Sequence, residues 1–180
     1  NSFKTCRFVI LEAGTGVGKS AIGFTVARYI KEVFEGSTYF LTTQKILQRQ
    51  YFKDFAHFGL LNLQSSTNYN CKFYRGAQNC ATVLRELKVS KNSKLKSSCG
   101  GGGCTYTKEK RAFMNGSFGI TNFSYFLAET NYSGQLEKRE LLVVDEAHNV
   151  EIEMSKFIEI SISEHFASKI LKLKVPSDLK

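Results

Sequence analysis

Ala13-Gly14-Thr15-Gly16-Val17-Gly18-Lys19-Ser20 is a stretch suited to holding a phosphate. Its glycines let the backbone curl so that successive N–H groups point at phosphate oxygens. Lys19 brings a mobile charge for the β- and γ-phosphates, and the Ser20 hydroxyl is a ligand for Mg²⁺. The strict pattern opens on glycine where this chain has Ala13, but Gly14, Gly16 and Gly18 still free the turn. A second stretch, Leu141-Leu142-Val143-Val144-Asp145-Glu146-Ala147-His148, ends an apolar run in two carboxylates. Asp145 there suits Mg²⁺, held through water, and Glu146 suits orienting and deprotonating an attacking water. Strand ends often carry solvated acids, so the second stretch gains meaning only beside the first. Together they describe nucleotide hydrolysis.

A third group is Cys71, Cys80, Cys99 and Cys104, separated by eight, eighteen and four residues. Four thiolates can bind an iron–sulfur cubane or a structural zinc, and free thiols are the third possibility. Zinc sites usually show two close cysteine pairs, whereas only Cys99 and Cys104 are close here. The fifth cysteine, Cys6, is expected to be a buried core thiol.

The elements that must position these groups follow from periodicity. An apolar run over residues 6–11 reads as a buried strand feeding the phosphate loop. From 19 to 34 the positions Ile22, Val26, Tyr29, Ile30 and Val33 share one helical face, and Gly36 is the expected stop. Thr38-Tyr39-Phe40-Leu41 has strand composition, and Leu47, Tyr51 and Phe55 recur at the spacing of a helix. A β-α-β-α beginning implies an α/β fold, a parallel sheet with helices on both faces. Periodicity then fades. Residues 64–107 read as an insertion carrying a short helix over 81–89, with the α/β domain occupying 1–63 and 108–180. A helix near 108–114, a strand over 118–121 and a helix over 122–130 resume the rhythm. The run 141–144 reads as a central strand buried on both faces. A helix with Val150, Met154, Phe157 and Ile158 follows, and Ser161 with Glu164 has the spacing of a capping box.

The net charge of +9 is regional. Residues 71–111 hold ten Lys or Arg against two acids, Glu86 and Glu109, a local balance of +8. Lys72, Arg75, Arg85, Lys88, Lys91, Lys94 and Lys96 alternate with Tyr69, Phe73, Tyr74 and Tyr106. Charges that track phosphates and rings that stack on bases suit single-stranded nucleic acid. A solvated basic face over packed aromatics is the plainer alternative. No apolar run reaches the roughly 20 residues of a membrane span, and no signal-peptide pattern opens the chain. A soluble protein is expected, cytoplasmic or nucleoid-associated in a bacterium or virus and nuclear in a eukaryote.

Asp145-Glu146-Ala147-His148 resembles the DEAH box of superfamily 2 helicases, and Ala13–Ser20 their phosphate loop. The subgroup resembled is the XPD-like and DinG-like iron–sulfur DNA helicases. Thr42-Thr43-Gln44-Lys45 with Leu47 and Gln50 is similar to the motif that touches the DNA backbone in that family. Ile120-Thr121-Asn122-Phe123-Ser124-Tyr125-Phe126-Leu127 is similar to its segment ahead of the DEAH strand. The cysteine-bearing insertion lies where that family houses a 4Fe–4S cluster.

The resemblance implies a RecA-like P-loop domain that binds ATP and Mg²⁺ and hydrolyses ATP to move on single-stranded or forked DNA, with 5′→3′ polarity. It implies DNA contacts at Thr42, Thr43, Gln44 and Asn122, joined by Lys72, Arg75, Lys91, Lys94 and Lys96 of the lobe. It implies cluster ligation by the four cysteines, with zinc as the alternative. His148 would couple the nucleotide site to the DNA side, whereas His57 and His165 have no comparable context. The family closes two RecA-like domains over ATP, so this chain is expected to be the first of them, a monomer with little activity alone. Competing readings are a non-catalytic DNA-binding module built on the cysteine lobe, and another DEAH P-loop NTPase acting on RNA.

Overall fold

The computed structural model describes residues 7–14, 16–73, 79–90, 99 and 103–158. Cys6, Thr15, Tyr74, Arg75, Lys91, Lys94, Lys96, His165 and the expected helix after Ser161 lie outside them. Two compact units divide the chain, one ending at Ala147 and one beginning at His148.

The first unit is built, among the described residues, on a parallel sheet of four strands: β1 (Thr38–Thr42), β2 (Leu60–Asn62), β3 (Phe118–Asn122) and β4 (Leu141–Val144), in the order β2-β3-β1-β4. Thr38 pairs with Phe118 on one side and Leu141 on the other, so β1 is central and fully buried. Alternation along β1 sends Phe40 to one face and Tyr39 to the other. The Phe40 face is covered by α1 (Lys19–Phe34) and α2 (Lys45–Phe55), which bring Phe24, Ala27 and Tyr51 into one cluster with Leu60, Phe118 and Ile120. Opposite, α4 (Thr105–Asn115) and α5 (Phe123–Ala128) pack Phe113 and Tyr125 against Tyr39 and Leu63. Between α2 and α4 in sequence lies α3 (Cys80–Ser90). The expected α/β architecture with helices on both faces is the one observed.

Several expectations need correction. Among residues 7–14 there is no strand: Phe8 and Ile10 are 82% and 93% exposed, and the run pairs with no described strand of the sheet. A β-prone composition states what a segment could do, but not whether it pairs with a sheet. The DEAH-bearing strand β4 is an edge strand, not a central one; among the described residues it pairs only with β1, and Leu142 is 48% exposed. The buried stripe of α1 is also rotated from the expected one. Phe24 and Ala27 face the core while Ile22, Tyr29 and Val33 are exposed. The reason is close packing: a Cβ at Gly23 would lie 3.1 Å from the Val143 side chain, so small residues mark the side that meets the sheet. The helix stops at Glu35, in left-handed backbone at φ 54°, one residue before Gly36. Finally, β2 was not expected, being three residues long.

Gly119 shows how tightly the second face is closed. A Cβ there would lie 2.6 Å from the buried Phe113 ring and 3.0 Å from the Arg139 guanidinium. Arg139 cannot retreat, because it donates to the Thr38 and Phe113 carbonyls at 2.8 and 2.6 Å and stacks 4.0 Å from the Tyr39 ring centre. Gly119→Ala should therefore destabilise the fold by about 1–3 kcal/mol. Denaturant melts of the two proteins check this, and equal midpoints would remove the steric argument.

In the second unit, α6 (Val150–Ile158) carries Glu151 and Glu153 in its first turn and Lys156 in its last, each at the helix end whose dipole favours it. Lys156 donates to Glu153 at 2.8 Å. No helix among the described residues is long and apolar enough to cross a membrane.

Candidate nucleotide site and cysteine lobe

Parallel strands send their C-terminal ends to one edge, where open α/β sheets gather ligands. Register places Thr42 beside Asn122 there, and the backbone N–H of Asp145 donates to the Leu41 carbonyl at 2.9 Å, extending β4 to the same level. The phosphate loop meets this edge through α1. Gly16 and Gly18 have φ of 82° and 79°, left-handed backbone that suits glycine. Gly18 occupies the N-cap of α1 with no side chain over the helix end, leaving first-turn N–H groups for an anion. Lys19 folds back, its ammonium donating to the Ala13 and Gly14 carbonyls at 3.1 Å each. Gly14, Gly16 and the 56%-exposed Val17 are open to solvent.

Ser20 follows on the first turn of α1, near the phenol of Tyr51 from α2; burial, the largest cause, pushes that phenol up to about 12, with Ser20 opposing and Asp145 and Glu146 adding. Burial, the largest cause, raises the Asp145 carboxyl above its ordinary value; the Glu146 backbone and the Lys19 charge oppose the shift, and the Glu146 carboxylate adds to it. A carboxyl whose folded pKa is raised opposes folding progressively as pH climbs past its unfolded value. A cation beside it would relieve that cost. Glu146 sits in left-handed backbone at φ 53°, a strained conformation for a side chain of its size. Lys19, Ser20, Asp145 and Glu146, 125 residues apart in sequence, thus share one edge of the sheet.

The residues expected to touch DNA divide. Thr42 is fully buried and its hydroxyl donates to the Gln44 carbonyl at 3.3 Å, so it shapes the turn. The Thr43 hydroxyl is buried without a hydrogen-bond partner among the described residues, and Gln44 is exposed. Asn122 is the N-cap of α5, accepting from the Tyr125 N–H at 2.8 Å. Lys72 is exposed.

Two of the aromatics read as base-stacking platforms are packed instead. The Tyr69 hydroxyl donates to Glu109 at 2.6 Å, its ring lies 5.2 Å from that of Tyr106, and the Tyr106 and Tyr125 hydroxyls are 3.0 Å apart. A phenol near a core carries a polar end that finds a partner there, which composition does not reveal. Phe73 stays 43% exposed.

The four thiols converge. Cys80 and Cys104 are buried, and Cys71 and Cys99 pack around Val83. Cys71, Cys80 and Cys104 line one small cavity with Tyr69 and Phe73. All four are free of disulfides. Burial, then the neighbouring Cys104, Cys99 and Cys71, pushes the Cys80 thiol up to about 12. Among the described residues no three His, Cys, Asp or Glu side chains are arranged to enclose one metal ion. A single zinc would draw its sulfurs to about 2.3 Å from a common centre. The all-sulfur donor set suits a soft thiolate-bound group.

His148 opens the second unit, with Nε2 3.1 Å from the Asn149 amide nitrogen. Sequence reasoning missed that Tyr51, read there only as a helix-packing residue, brings its phenol near Ser20 and the acidic strand end. A phenol on the core face of a helix was the available signal, since a buried hydroxyl demands a partner.

The family described as Type III restriction enzyme, res subunit, matches residues 2–173. No curated protein matches the chain.

Proposed function

The chain belongs to the Type III restriction enzyme res subunit family, which makes it a superfamily 2 helicase-type domain, and from that premise we propose that it is the first motor domain of an XPD-like or DinG-like DNA helicase. The observation that carries this reading is the meeting of Lys19, Ser20, Asp145 and Glu146 at the C-terminal edge of the parallel sheet. ATP and Mg²⁺ fit such a domain. Lys19 would exchange the Ala13 and Gly14 carbonyls for phosphate oxygens, a gain in charge pairing. Ser20 and Asp145 would hold Mg²⁺, which supplies charge neutralisation at the phosphates. Glu146 would orient water and take its proton. A second RecA-like domain would close the site from the far side, so this chain alone should turn over slowly.

Two features support DNA as the track and iron–sulfur as the lobe's cofactor. The lobe region carries the +8 charge balance, and Phe73, Gln44 and Lys72 remain exposed to meet a strand. Cys71, Cys80, Cys99 and Cys104 would hold a 4Fe–4S cluster, whose several-ångström body spaces its ligands more widely than one zinc ion does. His148 would couple nucleotide and DNA states, and 5′→3′ movement is the polarity we assign.

The test is ATP hydrolysis by the full helicase, with single-stranded DNA or RNA of matched length. DNA should stimulate turnover more than RNA. Glu146→Gln should lower kcat about 100-fold or more while leaving ATP affinity nearly unchanged. Normal turnover by this variant would remove Glu146 from the mechanism, and stronger stimulation by RNA would make the track RNA.

A further inference from the structure

Helix α4 links the thiol cavity to the sheet. Its N-cap, Cys104, lines the cavity together with Cys71, Cys80, Tyr69 and Tyr106. Tyr69 ties the cavity wall to the helix: its carbonyl accepts from the Cys80 N–H at 2.7 Å and its hydroxyl donates to Glu109 at 2.6 Å. Toward the sheet, α4 meets α5 twice. The Tyr106 and Tyr125 hydroxyls are 3.0 Å apart, and the Lys110 ammonium donates to both Glu129 carboxylate oxygens at 2.9 and 3.0 Å. Residues 106 and 110 are one helical turn apart, as are 125 and 129, so each pair lies on a single face. The second contact is an ion pair whose side chains are only 20% and 11% exposed, where salt screens weakly.

We propose that α4 and α5 are bolted into one lever that carries the state of the thiol cavity to the C-terminal edge of the sheet, with Tyr106 and Lys110 as its positioning residues. The proposal rests on the reading of Cys71, Cys80, Cys99 and Cys104 as ligands of a metal group. Two contacts one turn apart keep the helices from rolling over each other, which either contact alone would allow. A displacement of Cys104 therefore moves α5 together with α4. The far end of the lever is Asn122, which caps α5 by accepting from the Tyr125 N–H at 2.8 Å and ends β3 beside Thr42. Tyr125 thus meets α4 with its hydroxyl and the cap with its backbone. Thiolates gathered on a metal group fix Cys104, and that binding energy becomes order along the lever.

The test is hydrogen exchange of the anaerobically purified chain, metal-loaded and then stripped by chelator under reducing conditions, beside its Tyr106→Phe/Lys110→Met variant. Both substitutions keep the bulk of the side chain away from the thiols, so metal content should stay at the wild-type level. In wild type, stripping should speed exchange of the α5 amides about three- to tenfold, the range of one net hydrogen bond, while β1 stays protected. In the double variant, stripping should speed exchange in α4 and leave α5 at its loaded rate. Tyr106→Phe alone, the milder change, should shrink the α5 response. A wild-type α5 indifferent to stripping, or variants whose α5 responds as in wild type, would overturn this proposal alone. A chain purified with neither iron nor zinc would overturn the metal reading, and this proposal with it.

Discussion

Lys19→Ala is expected to weaken binding of Mg·ATP to the chain by roughly ten- to a hundredfold, the range of one hydrogen bond made by a charged group. The effect should be large because the side chain acts in both states of the site. Without nucleotide, its ammonium bridges the Ala13 and Gly14 carbonyls at 3.1 Å and holds the loop curled. With nucleotide, it would move to the β- and γ-phosphates, where charge-assisted bonds replace neutral ones. Lys19→Arg should not restore affinity, since a planar fork cannot enter a cradle shaped for a compact ammonium. Isothermal titration measures both variants. Stability should hardly change, because Lys19 lies on the first turn of α1, outside the Phe24 cluster. A Lys19→Ala variant binding within about twofold of wild type, well short of one charged hydrogen bond, would mean that the loop serves some other ligand.

The readable parts of this chain are those in which residue type alone sets backbone or chemistry. Gly16 and Gly18 announce left-handed backbone, and Lys19-Ser20 at the helix start follows from them. Strand composition at Thr38–Thr42 and Phe118–Asn122 survives because both strands are buried on two faces. What could not be read is partnership. The run Phe8-Val9-Ile10-Leu11 has strand character but pairs with no described strand, and Leu141–Val144 has the composition of a central strand but a single neighbour among the described residues.

Relative size misled the reading of α1. The large apolar residues Ile22 and Val33 are exposed, whereas Gly23 and Ala27 let the helix approach the sheet. Polar tips on core rings were equally opaque. Tyr69 reads as a base platform until Glu109 is seen opposite it. That contact crosses 40 residues of chain, and local pattern carries no record of it.

Chain purified without oxygen should be brown and contain iron and sulfide at cluster stoichiometry, and Cys80→Ser or Cys104→Ser should each abolish both. These two cysteines are chosen for where they stand: Cys80 is the first residue of α3 and Cys104 the N-cap of α4, so both lie at positive helix ends that favour thiolate. Burial works against that charge and pushes the Cys80 thiol up to about 12. A metal group that takes the protons' place would resolve the conflict, and its binding energy would become folding energy for the lobe. Loss of the cluster should therefore appear twice: as lost visible absorbance, and as protease cleavage between residues 71 and 104 at concentrations that spare the rest. The sheet has its own cores and should survive, because neither aromatic cluster around β1 includes a lobe cysteine. Cys6→Ser provides the control, since Cys6 is outside the set of four and should leave iron content unchanged. A colourless chain carrying one zinc would replace the cluster with a structural ion. A metal-free chain with an intact, protease-resistant lobe would leave the four thiols as core residues alone.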